Sequence, residues 1–529
     1  MEKEKMITTG NTSIGIEFGS TRIKAVLIGP DSQPLAAGVH DWCSRLENGV
    51  WTYSLDDVRT GLQACFADLR ENVKQQYDVP LTTAGSIGIS AMMHGYLPFD
   101  AQGNLLVPFR TWRNTMTEQA AERLTEAFSF NIPQRWSIAH LYQAILNGEP
   151  HVGEIRFLTT LAGYVHFLLT GKKVLGIGDA SGMFPIDPHT GSYDAQMCGI
   201  FGKMTADTAF QQELTAVLPE IVPVGEQAGT LTPEGALLLD PSGEFQPGVP
   251  FCPPEGDAQT GMTATNSITP RTGNVSAGTS IFSMIVLERS LKAVHREIDI
   301  VTTPNGDPVA MVHCNNCSSD FDAWVRMFGE VLKAAGKEMP AGALYDLVYA
   351  LAAAGEPDCG GIVSYNYYAG EEITGVTAGR PLMMREPSAA FTAPNLLRSL
   401  VLSCMATLKI GMDILTGEEQ VQLEQIYAHG GLFKNPLVTQ PMLASVLGAD
   451  VTLMQSAGEG GAWGIALLAA FAVRDDRSET LSDYLNRHVF AGMAGRTVSP
   501  QQSDTDGIRT YMKHYTAGLA AERAAVGQL

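Results

Sequence analysis

Two stretches of the chain repeat one pattern. Residues 13–28 read Ser-Ile-Gly-Ile-Glu-Phe-Gly-Ser-Thr-Arg-Ile-Lys-Ala-Val-Leu-Ile, and residues 273–286 read Gly-Asn-Val-Ser-Ala-Gly-Thr-Ser-Ile-Phe-Ser-Met-Ile-Val. Each is an apolar strand, a turn of glycine and hydroxyl residues, and a second apolar strand, which reads as a β-hairpin. At 529 residues the chain exceeds what one hydrophobic core normally supports, so the repeated hairpins are expected to open two similar α/β halves. The division is placed at 1–265 and 266–529.

The segments after each hairpin support that organisation. A third strand is expected over Leu35–His40. Ser54 then caps a helix with Asp56 and Asp57 in its first turn and Val58, Leu62, Cys65, Phe66, Leu69 and Val73 as its apolar stripe. A strand over Ala84–Ser90 completes a mixed sheet with helices on its faces. Thr115 to Glu118 reads as a capping box that opens a helix to about Phe128, and helices fit Trp136–Leu146 and Leu158–Leu169. Gly176 to Gly182 returns to turn chemistry. In the second half, helices are expected over Phe321–Ala335, Leu344–Ala354 and Asn395–Leu415. A strand over Gln425–Ala428 and helices near Pro436–Leu447 and Gly461–Val473 follow.

Bulk properties exclude several partners. The formal charge of −21, from 56 acidic against 35 basic residues, repels polyanions, so neither nucleic acid nor an anionic membrane is expected. A small phosphorylated ligand is still compatible, because a local cluster of backbone N–H groups and one lysine outweighs a distant negative surface. The eight cysteines are scattered and read as reduced, mostly buried thiols. Cys314 and Cys317 form the one close pair, with no second pair to complete a four-ligand zinc set. The charged N-terminus has no apolar signal region and no run of 18 apolar residues occurs, so a cytoplasmic location is expected.

Four places carry candidate chemistry. Asp257, in Pro254-Glu255-Gly256-Asp257-Ala258-Gln259-Thr260-Gly261, is expected on a loop leaving the buried run Gly248–Cys252, where a catalytic carboxylate is often presented. The turns Gly19-Ser20-Thr21, Gly278-Thr279-Ser280 and His429-Gly430-Gly431 each follow an apolar strand and offer N–H groups and hydroxyls to phosphate oxygens. No Walker A pattern, kinase glycine loop or Gly-x-Ser-x-Gly elbow is present.

These motifs, in this order, resemble those of the FGGY carbohydrate kinases. Glu17 to Lys24 resembles the family's first phosphate motif, Asp-x-Gly-Thr-Thr-Ser-x-Arg/Lys; Gly256-Asp257 resembles its catalytic aspartate motif; and Gly278-Thr279-Ser280 resembles its second phosphate turn. Gly430-Gly431 with Lys434-Asn435, followed by Glu459-Gly460-Gly461-Ala462-Trp463-Gly464, is similar to the adenosine region. Ser90 to Gly95, ending in Asp100, resembles the sugar-site segment of xylulokinases and gluconokinases, and Gly178 to Gly182 matches a family turn. The departures are Glu17 for the usual Asp, Ser20 for Thr, and Asn114 and Met116 where Asp and Arg are common.

The resemblance implies an α/β fold of two actin-like (RNase H-like) domains with a cleft between them, the first holding sugar and phosphate and the second the nucleotide. It implies ATP and Mg²⁺ as cofactors and a small sugar as substrate, a ketose such as xylulose leading; assembly as a homodimer is left open. Asp257 would be the catalytic base. Gly19, Ser20, Thr21, Lys24, Gly278, Thr279, Gly430, Gly431 and Asn435 would bind ATP. Met93, His94, Trp112, Asp257 and Gln259 would bind the sugar, and Glu17 with Asp257 would serve Mg²⁺. From spacing alone His94 reads as a core histidine, and the resemblance turns it toward a substrate hydroxyl; His429 keeps the structural reading. Two other readings stay open: a catalytically silent sugar-responsive or assembly protein on the same scaffold, which the altered Glu17 and Asn114 keep alive, and a plain ATPase.

Overall fold

The structure is a computed structural model and describes residues 2–454 and 460–528. It divides into two compact units, one of residues 1–269, 300–309 and 456–493, the other of residues 270–299, 310–455 and 494–529. Where the sequence reading drew one division at 265/266, these units are discontinuous, because the chain returns to the first at 300–309 and 456–493.

In the first unit the expected hairpin forms. Strand β1 (Ser13–Phe18) pairs antiparallel with β2 (Arg22–Ile28), Glu17 lying opposite Lys24 and Phe18 opposite Ile23. β3 (Pro34–Asp41) extends the sheet on one side, and β4 (Ser86–Ala91) runs parallel to β1 on the other. A two-residue strand, β5 (Glu255–Gly256), closes the order β5-β4-β1-β2-β3. The helix Leu55–Tyr77 is capped as expected, Ser54 Oγ accepting the Asp57 N–H at 3.0 Å. Its apolar stripe is buried in one core with Ile14, Ile16, Ile87 and Ile89.

The helix Gly460–Ala472 also belongs to this unit, packing on β1, β4 and the helix Asp257–Ala264. The approach is close: a Cβ at Gly15 would stand 2.0 Å from the Ala462 carbonyl oxygen, and one at Gly464 2.0 Å from that of Thr260. Only hydrogen-sized side chains let this helix reach the sheet.

Three local expectations need correction. The helix over 118–128 forms, but the capping box does not, because the helix starts at Glu118, so Thr117 and not Thr115 takes the cap position, and it makes no side-chain cap bond there. The turn expected over 176–182 contains a short helix, Ile177–Ser181. Residues 157–159 are strand, so the helix expected from Leu158 begins at Leu161, where the Thr160 hydroxyl accepts the Gly163 N–H.

The second unit repeats the first. β6 (Thr272–Ala277) and β7 (Ile281–Val286) form the second hairpin, Ala277 opposite Ile281. With β8 (Asp299–Thr302) and β9 (Pro308–Cys314), whose residues within 300–309 are counted with the first unit, and with β10 (Gln425–His429), β11 (Asp450–Met454) and β12 (Gly495–Val498), the strand order is β8-β9-β7-β6-β10-β11-β12. β10 runs parallel to β6 as β4 does to β1. The central helix Ala393–Asp413 carries Leu396, Leu400, Met405 and Leu408 into this core. Its extension to Glu418 is the one helix among the described residues long and apolar enough to cross a membrane by length and composition, and 67% of its apolar window is buried.

Candidate functional site

The first turn is fixed by its carbonyls. Trp42 Nε1 donates to the Gly19 oxygen at 2.7 Å, the Tyr53 hydroxyl to the Ser20 oxygen at 2.7 Å, and the Trp42 N–H to the Thr21 oxygen at 3.1 Å. The two rings stack at 4.2 Å. With three successive carbonyls held on one side, the turn's orientation is set, as an anion-binding array of N–H groups requires. The second unit reaches the same result with backbone alone: the N–H groups of Ser318 and Cys317 donate to the oxygens of Gly278 and Thr279 at 3.2 and 3.0 Å. Thr21 and Thr279 are both exposed. Trp42 and Tyr53 were not singled out from sequence, since an aromatic after a strand is ordinarily core.

Asp257 is not on a loop. It is the first residue of the helix Asp257–Ala264, directly after β5, because the small residues Gly256 and Ala258 let the chain pass from strand to helix without an intervening turn. Its Oδ1 accepts the Met93 N–H at 3.3 Å. Burial raises its pKa to about 6, while the N–H groups of Met93 and Ala258 hold the shift down.

Glu17 is the penultimate residue of β1, beside the first turn. Its Oε2 accepts the N–H of Ala462, near the start of the helix Gly460–Ala472, at 3.2 Å. A Cβ at Gly461 would stand 2.2 Å from Glu17 Oε1, so the longer acid fits only because glycine lies there. Burial first, then the charge of Asp257, raises Glu17 to about 7; Ala462 and Lys24 oppose the rise. Glu17 and Asp257 thus disfavour one another's charge, and Lys24, opposite Glu17 in the register, only partly compensates. Two hard carboxylates short of positive charge suit Mg²⁺, which takes one or two protein carboxylates and completes its shell with phosphate and water. Among the described residues no cluster of three or more His, Cys, Asp or Glu forms an all-protein metal cage.

Two other candidates of the first unit are tied to Asp257 by the backbone: His94 follows Met93, whose N–H Asp257 accepts, and Gln259 is in the same helix. His94, buried, is in the left-handed region at φ 67°, which a histidine seldom adopts. Its Nδ1 donates to the Gly182 carbonyl at 3.0 Å, and its ring stacks 6.0 Å from Trp136. Gln259 is fully buried, its Nε2 donating to the Thr302 carbonyl at 3.0 Å. Trp112 is partly buried against the core. Asn114, one of the departures, is fully occupied: Oδ1 accepts the Trp51 N–H at 2.8 Å and Nδ2 donates to the Trp51 oxygen at 2.8 Å. An aspartate could accept there but not donate, so the amide is what this loop needs.

Two acids escaped the sequence reading. Glu255 and Asp179 are 2% and 0% exposed, and Glu255 accepts the Asp179 N–H at 2.8 Å. Burial, then the charge of Asp179, pushes Glu255 up to about 8. Asp179 rises to about 7 through burial, with the Thr160 hydroxyl opposing and Asp257 adding. Both lie inside quoted motifs, yet nothing in their spacing shows that β5 and the Ile177–Ser181 helix meet.

In the second unit Gly430, at φ 109°, passes directly over β6: a Cβ there would stand 2.2 Å from the Ala277 oxygen. Both the angle and the space demand glycine. Gly431 opens a short 3₁₀ segment to Lys434, and Asn435 precedes the helix Pro436–Leu447. His429 is partly buried, and burial lowers its pKa. Cys314 and Cys317 are buried free thiols. Of the expected adenosine region, Glu459 lies outside the described residues.

Residues 12–263 match the N-terminal domain, and residues 273–473 the C-terminal domain, of the FGGY family of carbohydrate kinases. The chain belongs to that family. As an FGGY carbohydrate kinase it is a phosphotransferase with the family's actin-like α/β fold, and it uses ATP as substrate. The chain is 23% identical to a xylulose kinase of Haemophilus influenzae over 410 residues, 75% of this chain and 77% of that one. A ligand-bound xylulose kinase from Lactobacillus acidophilus has the same fold at TM-score 0.79 and 17% identity, over 98% of this chain and 99% of that one. A gluconate kinase from the same organism gives TM-score 0.77 at 15% identity, over 97% and 99% of the two chains.

Proposed function

We propose that this FGGY kinase transfers the γ-phosphate of ATP to a hydroxyl of a small ketose, xylulose or a close relative, with Asp257 as the base. The observation that carries this is the Asp257 carboxylate at the junction of β5 and its helix, held by the Met93 N–H next to His94 and within reach of the charge of Glu17, which Lys24 faces across the β1–β2 register. The likeness to xylulose kinases favours the ketose.

In this reading Asp257 accepts the proton of the attacking hydroxyl late in a loose transition state, where charge on the transferring phosphoryl group is the main difficulty. The N–H groups of Ser20, Thr21 and Thr279, with the ammonium of Lys24, stabilise that charge, while those of Gly19 and Gly278 shape the two turns by donating to the Arg22 and Ser280 oxygens at 2.9 and 2.8 Å. Mg²⁺, when bound, supplies further neutralisation and orients the phosphates, and Glu17 and Asp257 would hold it. Met93, His94, Trp112 and Gln259 bind the sugar, and Gly430, Gly431 and Asn435 the nucleoside. In this reading residues 1–265 carry the sugar and phosphate site, and residues 266–529 the nucleotide site, to which the second phosphate turn belongs. The test is coupled ADP release across pentuloses, hexuloses, polyols and aldonates. Activity on a pentulose well above the rest is expected, and ADP release indifferent to every sugar would overturn the assignment.

His94→Ala is expected to raise the sugar KM about 5- to 100-fold while leaving the KM for ATP nearly unchanged, since a polar group meant for a hydroxyl is lost. Steady-state kinetics with each substrate varied in turn checks this. A lower Tm with unaltered sugar KM would instead assign His94 to packing against Trp136.

A further inference from the structure

Asn435 does not stand alone at its turn. Its Nδ2 donates to Oδ1 of Asp346, on the helix Ala341–Ala353, at 3.2 Å. Leu347, which follows Asp346 in the chain, is 38% and Leu437, two residues after Asn435, 71% exposed, large apolar side chains left at the surface of the second unit.

We propose that Asp346 sets the nucleobase preference of this kinase by fixing the Asn435 amide. A free asparagine side chain is ambivalent, because rotation of its amide offers either an acceptor or a donor. Asp346 takes one Nδ2 hydrogen, and a carboxylate can only accept, so the amide is held with Oδ1 available to a ligand. Asn435 Oδ1 and the second oxygen of Asp346 then present two acceptors, and the remaining Nδ2 hydrogen is the pair's one donor. An exocyclic amino group, as on adenine, finds both acceptors; a 6-oxo group, as on hypoxanthine, meets the same acceptors and has only that one hydrogen to pair with. Asp346 is a positioning residue in this scheme. The inference rests on the reading of Gly430, Gly431 and Asn435 as the nucleoside site.

Isothermal titration of ADP and IDP into the full chain tests it without needing the sugar. The wild type is expected to bind ADP about tenfold more tightly than IDP, and Asp346→Ala to bring the ratio to within about twofold, by weakening ADP and strengthening IDP. Asp346→Asn, which keeps an acceptor oxygen, should recover part of the preference, an effect that a merely structural surface role would not produce. If Asn435→Ala weakens ADP while Asp346→Ala leaves the ratio at its wild-type value, Asp346 has no part in selectivity. If Asn435→Ala binds ADP as the wild type does, the nucleoside reading itself fails. A wild type that does not distinguish the two nucleotides also overturns the proposal.

Discussion

Asp257→Asn is expected to lower kcat about 10²- to 10⁴-fold with the fold and nucleotide binding retained, because the amide keeps the volume and the Met93 contact but cannot take a proton. The pH profile should change with it. A base must be ionised to act, and burial raises Asp257 to about 6, so the wild-type kcat/KM should fall as pH drops through that region, above the range of an ordinary aspartate. The residual activity of the Asn variant should lack this limb. Stability moves the other way. A carboxyl whose pKa is raised on folding contributes stability below its unfolded value near 3.8 that is lost as pH rises through about 6. At pH 8 the wild type keeps a buried charge that the variant lacks, so without ligands Asp257→Asn should have the higher Tm at pH 8, the difference shrinking toward pH 4. Single-turnover kinetics and thermal melts at both pH values check the two halves. A variant with near-native kcat removes Asp257 from the role of base.

Much of this arrangement was legible because it is local. Ser54 and the stripe from Val58 to Val73 fix one helix within its own sequence, and the two hairpins announce themselves through strand, turn and strand. What escaped depends on contacts between distant segments. The helix Gly460–Ala472 belongs beside β1 because Gly15 and Gly464 permit it, and no periodicity says which sheet a glycine-rich helix will meet. Asp179 and Glu255 become a pair only when β5 lies against the Ile177–Ser181 helix. The Thr117 hydroxyl follows the same logic: it donates to the Gln134 carbonyl, supplied 17 residues away, which no local pattern announces. Asn114 looks like a lost acid in sequence and proves to be a two-way clamp on Trp51, since the donor role is visible only once Trp51 is in place.

Glu17 joins both kinds of information, and its substitution is expected to have the second large effect. Its charge faces Asp257, while one of its oxygens holds the Ala462 N–H at the first turn of a helix. Negative charge near a helix N-terminus is stabilising, so Glu17 has structural work whatever else it does. Glu17→Gln separates the roles: the amide oxygen can still accept from Ala462, but the charge a hard cation prefers is gone. The Mg²⁺ concentration for half-maximal activity should rise about 10- to 100-fold, with the fold intact. Glu17→Asp tests the reach. The shorter acid restores the residue usual in the family, yet Gly461 leaves room shaped for the longer one, and an aspartate would lose the Ala462 N–H. That lost contact should cost about 1 kcal/mol of stability, by analogy with removal of a helix cap. Activity should fall as well, because the carboxylate no longer sits where the helix start now holds it. Titrating Mg²⁺ against activity in the three forms, with melts alongside, distinguishes the outcomes. Superimposable Mg²⁺ curves with a lower Tm for the Asp form would leave Glu17 the helix clamp alone, whereas a shifted curve for Gln at unchanged Tm requires that its charge serve the metal.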